Sequence, residues 1–136
     1  MKSFALLLIC AALVLGISPA CSKKSPGPCT DTGLSFTSSP TVNAVEPPAP
    51  GPDFPLIVTI NAPIPAGGVT ILVTAKPQTP ANAPAFFTQT ITTSNATNNF
   101  TIRNTQPGVA AIVEITVTSV TCSTNRATGT YTYSRK

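Results

Sequence analysis

Apolar and polar residues alternate through most of the chain from residue 34 onward, as they do in strands that bury one face. Leu56, Val58 and Ile60, for example, share one face of a single segment. The predicted strands span residues 34–37, 55–62, 69–75, 86–92, 99–103, 110–121 and 127–134. No convincing helical period occurs after the N-terminal segment, so residues 29–136 are predicted to form one all-β domain.

Proline and glycine separate the predicted strands. Pro63, Pro65, Gly67 and Gly68 lie between the second strand and the third, and the run Pro-Pro-Ala-Pro-Gly-Pro at 47–52 predicts a stiff connection before the second. Seven strands in a domain of roughly 100 residues are typical of an antiparallel immunoglobulin-like sandwich.

The segment from Phe100 to Gly108, Phe-Thr-Ile-Arg-Asn-Thr-Gln-Pro-Gly, precedes the longest predicted strand. It resembles the E strand and the Pro-Gly turn that lead into the F strand of a fibronectin type III domain. Thr105 stands where that family usually has leucine, and residues 109–111 contain no corner tyrosine. The fold class predicted is therefore an all-β, seven-stranded antiparallel immunoglobulin/fibronectin III-like sandwich.

The N-terminal residues have the pattern of an export signal. Lys2 precedes an uncharged apolar stretch at 4–17, which is short for the ~20 residues that cross a bilayer. Small residues, Ser18 and Ala20, stand before Cys21, so cleavage is expected after Ala20 and residues 1–20 form a signal peptide. A permanent N-terminal membrane anchor is the alternative.

The sequence Cys21-Ser22-Lys23-Lys24 after this leader resembles the start of a bacterial lipoprotein, of the kind found in Bacteroidetes. The resemblance implies that the Cys21 thiol receives a diacylglycerol and that the new amino terminus is acylated, for example with palmitate. Residues 21–28, rich in proline and lysine, then form a flexible tether. The expected location is the outer membrane of a cell envelope. An ordinary secretory signal, which would release the protein, remains the alternative.

The cysteine count favours lipidation. Cys10 leaves with the leader, and three cysteines remain, Cys21, Cys29 and Cys122. Lipid on Cys21 leaves two cysteines that can pair in an oxidising compartment. In a sandwich, the start of the first strand and the end of the sixth lie at the same pole, which is where Cys29 and Cys122 fall. A disulfide between them is predicted, and two unpaired thiols are the alternative.

The ionisable residues argue against most enzymes. The chain has no histidine and only four acidic residues, which excludes Ser-His-Asp and Cys-His catalysis and leaves few candidates for paired carboxylates. No metal site and no cofactor is expected. The formal net charge of +4 is spread without a basic run, so nucleic acid is not an expected partner.

Four residues are candidates for contact with a partner. Asn125 and Arg126 follow the sixth strand at the pole of the predicted disulfide, in a connection expected to lie beside the turn at 64–68. Tyr131 and Tyr133 share a face of the last strand, where they either stack on sugar units or complete the core.

The predicted function is therefore that of a non-catalytic, membrane-anchored extracytoplasmic lipoprotein. Its sandwich serves as a structural module of the envelope or binds an envelope protein or a glycan. A carbohydrate-binding module of a secreted or surface system is the alternative, and exposure of both tyrosines on a flat face would favour it.

Overall fold

The structure, a computed structural model, describes residue 29 and residues 33–61 and 63–136. This part of the chain forms β-strands joined by turns and loops. The strands are β1 (Phe36–Ser39), β2 (Phe54–Ile60), β3 (Val69–Pro77), β4 (Phe87–Thr93), β5 (Thr97–Ile102), β6 (Ala110–Ser119) and β7 (Arg126–Ser134). The all-β prediction is confirmed, and each strand begins and ends within two residues of its predicted bounds.

The strands form two antiparallel sheets, a three-stranded sheet of order β1-β2-β5 and a four-stranded sheet of order β4-β3-β6-β7. Side chains from both sheets meet in one hydrophobic core, an arrangement consistent with a β-sandwich. The predicted turn at 64–68 does lie beside the β6–β7 connection, where the Val120 N–H donates to the Gly68 carbonyl at 3.1 Å.

Alternation explains the core. Leu56 and Val58 of the smaller sheet, and Val73 and Ile115 of the larger one, have no exposed surface. Each lies on the inward face of its strand, where every second side chain points to the other sheet. Burying an aliphatic side chain of this size contributes roughly 1.5–3 kcal/mol, so these inward faces provide the main driving force for folding.

The outer face of the larger sheet is rich in threonine. The strand registers place Thr92, Thr70 and Thr118 in one row across β4, β3 and β6. The same face carries Thr88 and Thr90 on β4, Thr74 on β3, Thr116 on β6, and Thr128, Thr130 and Thr132 on β7. These β-branched side chains suit a solvated strand face, on which the strand registers also place the charged residues Lys76, Glu114 and Arg126.

Residues 43–49, called the edge segment below, pair in parallel with β7. Val45 lies opposite Thr132 and Ala49 opposite Arg135 in isolated bridges. Five backbone hydrogen bonds of 2.7–3.1 Å join this segment to residues 130–136. The prolines at 47–52 were predicted to form only a stiff connection, but the chain also extends the larger sheet before it enters β2.

Gly129 of β7 lies where β1 and the chain just before the edge segment pack closely against β7. A Cβ atom at this position would lie 2.8 and 2.9 Å from the two methyl carbons of Val42 and 3.0 Å from the Phe36 ring. The missing side chain thus lets Phe36 of β1 and Val42, which directly precedes the edge segment, pack on the β7 backbone.

No helix long and apolar enough to cross a membrane occurs among the residues that the structure describes. The predicted signal peptide at 1–20, the lipidation residue Cys21 and the tether at 21–28 lie outside these residues.

Candidate functional site

Cys29 and Cys122 form the disulfide that was predicted. Their Cα atoms are 5.5 Å apart, a separation typical of a bridge, and they are separated by 93 positions in sequence. The Thr124 hydroxyl lies 3.2 Å from the Cys29 sulfur and 3.3 Å from that of Cys122. The bridge joins the chain before β1 to the chain after β6, and this end of the sandwich is called the disulfide pole below.

Asn125 has a structural role at the disulfide pole. Its side-chain oxygen accepts a hydrogen bond of 3.0 Å from the Leu34 backbone N–H. Its own N–H donates to the Cys122 carbonyl at 3.0 Å, and its carbonyl accepts from the Ser119 N–H at 3.0 Å. These contacts fix the β6–β7 connection and hold the chain before β1 against it. The sequence predicted Asn125 as a contact for a partner, and the structure shows its side-chain oxygen bound within the domain to Leu34.

Arg126 differs from its neighbour. It is exposed at the first position of β7, opposite Thr118, and projects from the outer face of the larger sheet. Of the two predicted contact residues at the disulfide pole, Arg126 is exposed and Asn125 is half-buried.

Tyr131 and Tyr133 are buried, with 3% and 4% of their surfaces exposed. Their ring centres lie 6.1 Å apart, and the Tyr133 ring centre lies 4.4 Å from that of Phe54 in the opposite sheet. Of the two predicted roles, the structure supports completion of the core. The rings do not form the flat exposed platform that stacking on sugars requires.

The Tyr133 hydroxyl ties β7 to the connection between β5 and β6. Its oxygen lies 2.5 Å from the Thr105 hydroxyl oxygen, and Thr105 is only 1% exposed. The Arg135 guanidinium donates to the Thr105 carbonyl at 3.0 Å. Tyr133 of β7 therefore anchors the turn near Pro107 and Gly108, although residues 109–111, directly after this turn, contain no tyrosine.

Burial raises the pKa of both tyrosines, because the charged phenolate loses hydration in the core. The nearby Tyr133 and the Glu46 carboxylate raise the pKa of Tyr131 further. The hydrogen bond to Thr105 acts in the opposite direction on the pKa of Tyr133. Both hydroxyls are therefore neutral at physiological pH, and neither is a candidate base or nucleophile.

A groove of about 320 Å³ lies between the two sheets where β1 and β7 face each other. The two tyrosines and Phe54 form part of its lining, together with Ile57. The other lining residues are Ser39, Pro40, Glu46, Pro47, Ala49 and Pro55. Glu46 supplies the carboxylate of this groove, and the remaining walls are largely apolar, so the groove lacks the paired acid and base groups of a hydrolase.

The described residues contain no group of three or more His, Cys, Asp or Glu side chains that could hold a metal ion. The ion pair in this part of the chain joins Arg103 and Asp53 at 3.9 Å, with both side chains largely exposed.

Comparisons of the chain with protein-family models, with curated proteins and with solved structures give no match. The functional interpretation therefore depends on the residues and geometry described above.

Proposed function

We propose that the chain is a non-catalytic lipoprotein of a bacterial cell envelope, anchored through lipid on Cys21. Its sandwich domain acts outside the cytoplasm as a structural or interaction module. Residues 1–20 direct export, and residues 21–28 separate the domain from the membrane surface.

The pairing of Cys29 with Cys122 carries this proposal. Disulfides persist in oxidising compartments, which supports export of the chain. Once these two cysteines are paired, Cys21 is the single cysteine left after the expected cleavage site. Lipidation requires a cysteine thiol directly after the signal-like leader, which is the position of Cys21. Without lipid, Cys21 would be an unpaired reactive thiol in an oxidising environment.

We infer further that the domain is a fibronectin III-like variant of the immunoglobulin sandwich. In the constant-type immunoglobulin arrangement, the fourth strand joins the sheet of the first, second and fifth strands. Here β4 pairs with β3 in the other sheet. The resemblance of residues 100–108 to an E strand and Pro-Gly turn agrees with this order.

A non-catalytic role agrees with the chemistry that the described residues offer. The groove is lined mainly by proline and aromatic residues, and the two tyrosine hydroxyls have raised pKa values. The carbohydrate-binding alternative is disfavoured because burial of Tyr131 and Tyr133 removes its stacking platform. Arg126 remains the accessible candidate for a partner contact at the disulfide pole.

The proposal is tested by labelling cells that produce the full chain with radioactive or clickable palmitate. Wild-type protein should carry the label, partition into detergent and sediment with membranes, because the acyl chains supply the hydrophobic attachment. Cys21→Ser should lose all three properties. Cys122→Ser is the matched control and should keep the label, since it alters a cysteine assigned to the disulfide.

Recovery of unlabelled wild-type protein whose first residue is Cys21 would overturn the lipoprotein assignment and favour secretion. Recovery of a chain that retains residues 1–20 in the membrane would instead favour a permanent N-terminal anchor.

A further inference from the structure

The two lateral sides of the sandwich differ in how their strand edges are protected. The first, called the covered side, contains β1, β7 and the edge segment. There, hydrogen bonds from the edge segment occupy the β7 backbone, and β1 has only four residues before Pro40. Short edge strands, proline and added backbone pairing all prevent another chain from adding to a sheet.

The second, called the open side, contains β4 and β5. Each is the outermost strand of its sheet within the described residues. A cleft of about 320 Å³ lies between them, lined by Phe87 and Gln89 of β4 and by Asn99, Phe100 and Thr101 of β5, with Arg103 at its end. The two free edges therefore lie on the same side of the domain.

None of the usual edge protections occurs on β4. It is seven residues long, Phe-Thr-Gln-Thr-Ile-Thr-Thr, and contains no charge, proline or glycine. Every second residue of an edge strand directs its backbone N–H and C=O away from the sheet. The six residues of β5 are also uncharged, and the nearby Arg103 is already paired with Asp53.

Gln89 shows that this side of the core layer is incompletely closed. Its position in the register, opposite the buried Val73, places it on the inward face of β4. It is nevertheless exposed, and it lines the cleft. Among the described residues, the open side thus offers two strand edges with no further strand beside them, next to a polar cleft whose one charged lining residue is Arg103.

We propose that β4 pairs with β4 of a second copy of this chain, in an antiparallel and symmetric arrangement that joins the two larger sheets. The strand is self-complementary about Thr90: Gln89 lies opposite Ile91 of the second copy, and Thr88 opposite Thr92. No like charges meet across the twofold axis, and threonine pairs on a shared face are favourable. Such an isologous contact closes as a dimer instead of growing into a fibre.

The size of the contact predicts a weak dimer. A seven-residue strand is about 24 Å long, and two stacked sheets are about 10 Å apart. A strip of these dimensions covers about 240 Å² on each copy, or about 480 Å² in total, which is below the roughly 1,000 Å² of stable specific interfaces, so the strand pairing alone is expected to be weak. The inference holds whether or not Cys21 is lipidated, but attachment to a membrane would raise the local concentration and favour the dimer.

Cross-linking in cells tests the pairing directly. Residues opposite each other in an antiparallel pair have Cα atoms about 4.5–5.5 Å apart, within the range that a disulfide spans. Thr90→Cys in the full chain should therefore give a reducible homodimer on mild oxidation. Thr128→Cys is the matched control: it lies on the same threonine-rich face and is exposed, but it belongs to β7.

A charge substitution gives an independent measurement. Thr90→Lys places two like charges next to each other at the twofold axis, so the purified variant should sediment as a monomer at concentrations where the wild type dimerises. Thr128→Lys should sediment like the wild type, and circular dichroism should show that both variants are folded.

The proposal is overturned if Thr90→Cys and Thr128→Cys give equal amounts of homodimer, or if neither gives any. It is also overturned if Thr90→Cys cross-links to a different protein, because the open side would then accept a foreign strand. Unchanged sedimentation of folded Thr90→Lys beside a wild-type dimer would place the dimer contact elsewhere.

Discussion

The covered and open sides belong to the same two sheets, yet their edges have different local sequences. On the covered side the chain folds back through the edge segment, and five backbone hydrogen bonds occupy β7. On the open side, β4 and β5 end their sheets without such cover among the described residues. The sheet edges of this domain are therefore not protected uniformly, because an edge is covered only where the chain itself supplies another backbone segment beside it.

The largest expected effect concerns the disulfide, which supports the covered side by holding the chain before β1. Replacing both Cys29 and Cys122 with alanine should lower the free energy of unfolding by roughly 2–5 kcal/mol, because the unfolded chain loses its cross-link. Denaturant unfolding of the double variant and the wild type measures this. A loss below about 0.5 kcal/mol would show that the covered side is held without the bridge.

Tyr133→Phe tests the side-chain network between β7 and the β5–β6 connection. It removes the partner of the Thr105 hydroxyl, which is 1% exposed, and should cost roughly 1–3 kcal/mol. Thr105→Val in the same chain is the control, because removing both polar groups should recover part of the loss. Additive losses in this double-mutant cycle would contradict coupling between the two hydroxyls.

Gly129→Ala tests the close packing of the covered side. The added methyl group would contact both Val42 methyl carbons and Phe36 at 3.0 Å or less, so these side chains must shift. We expect a loss of about 1 kcal/mol in thermal or denaturant unfolding, as for modest overpacking. Gly33→Ala is the control, because its Cβ would meet no atom within 4 Å. An equal effect at both positions would exclude a packing role for Gly129.

Alkaline pH should weaken the covered side through its buried tyrosines. Tyr131 has a raised pKa in the folded protein, whereas the unfolded side chain ionises near its ordinary value of 10.0. The unfolded state therefore binds fewer protons above pH 10, and stability falls as pH rises, by at most about 1.4 kcal/mol per pH unit for one group. Tyr131→Phe should flatten this dependence. The same slope in the variant would assign it to other groups.

Sequence reasoning predicted the strands and the core because alternation is a local signal. Val73 and Ile115, for example, lie inward as their neighbours in sequence require. The disulfide followed from topology and from the small number of cysteines. The order of the strands within the two sheets depends instead on contacts between distant segments, which no local pattern specifies.

The edge segment and the tyrosine network were missed for related reasons. Pro47 and Pro48 are typical of a connection between strands. Their presence gave no indication that the backbone N–H groups of Glu46 and Ala49 donate to carbonyls at the end of β7. Thr105 and Tyr133 are 28 positions apart, so their hydrogen bond has no sequence signature. The one signal available was the absence of a corner tyrosine, which leaves the turn to be anchored from another strand.

Hydrogen exchange of the two edges tests the central difference between the sides most directly. The Thr132 amide, which donates to the Ala44 carbonyl at 3.0 Å, should exchange slowly at every protein concentration. The outward-directed amides of β4 should exchange rapidly in dilute wild-type protein and in Thr90→Lys, and slowly only where the wild type dimerises. Fast exchange of Thr132, or β4 protection that is independent of concentration and unchanged in Thr90→Lys, would contradict the assignment of a covered and an open side.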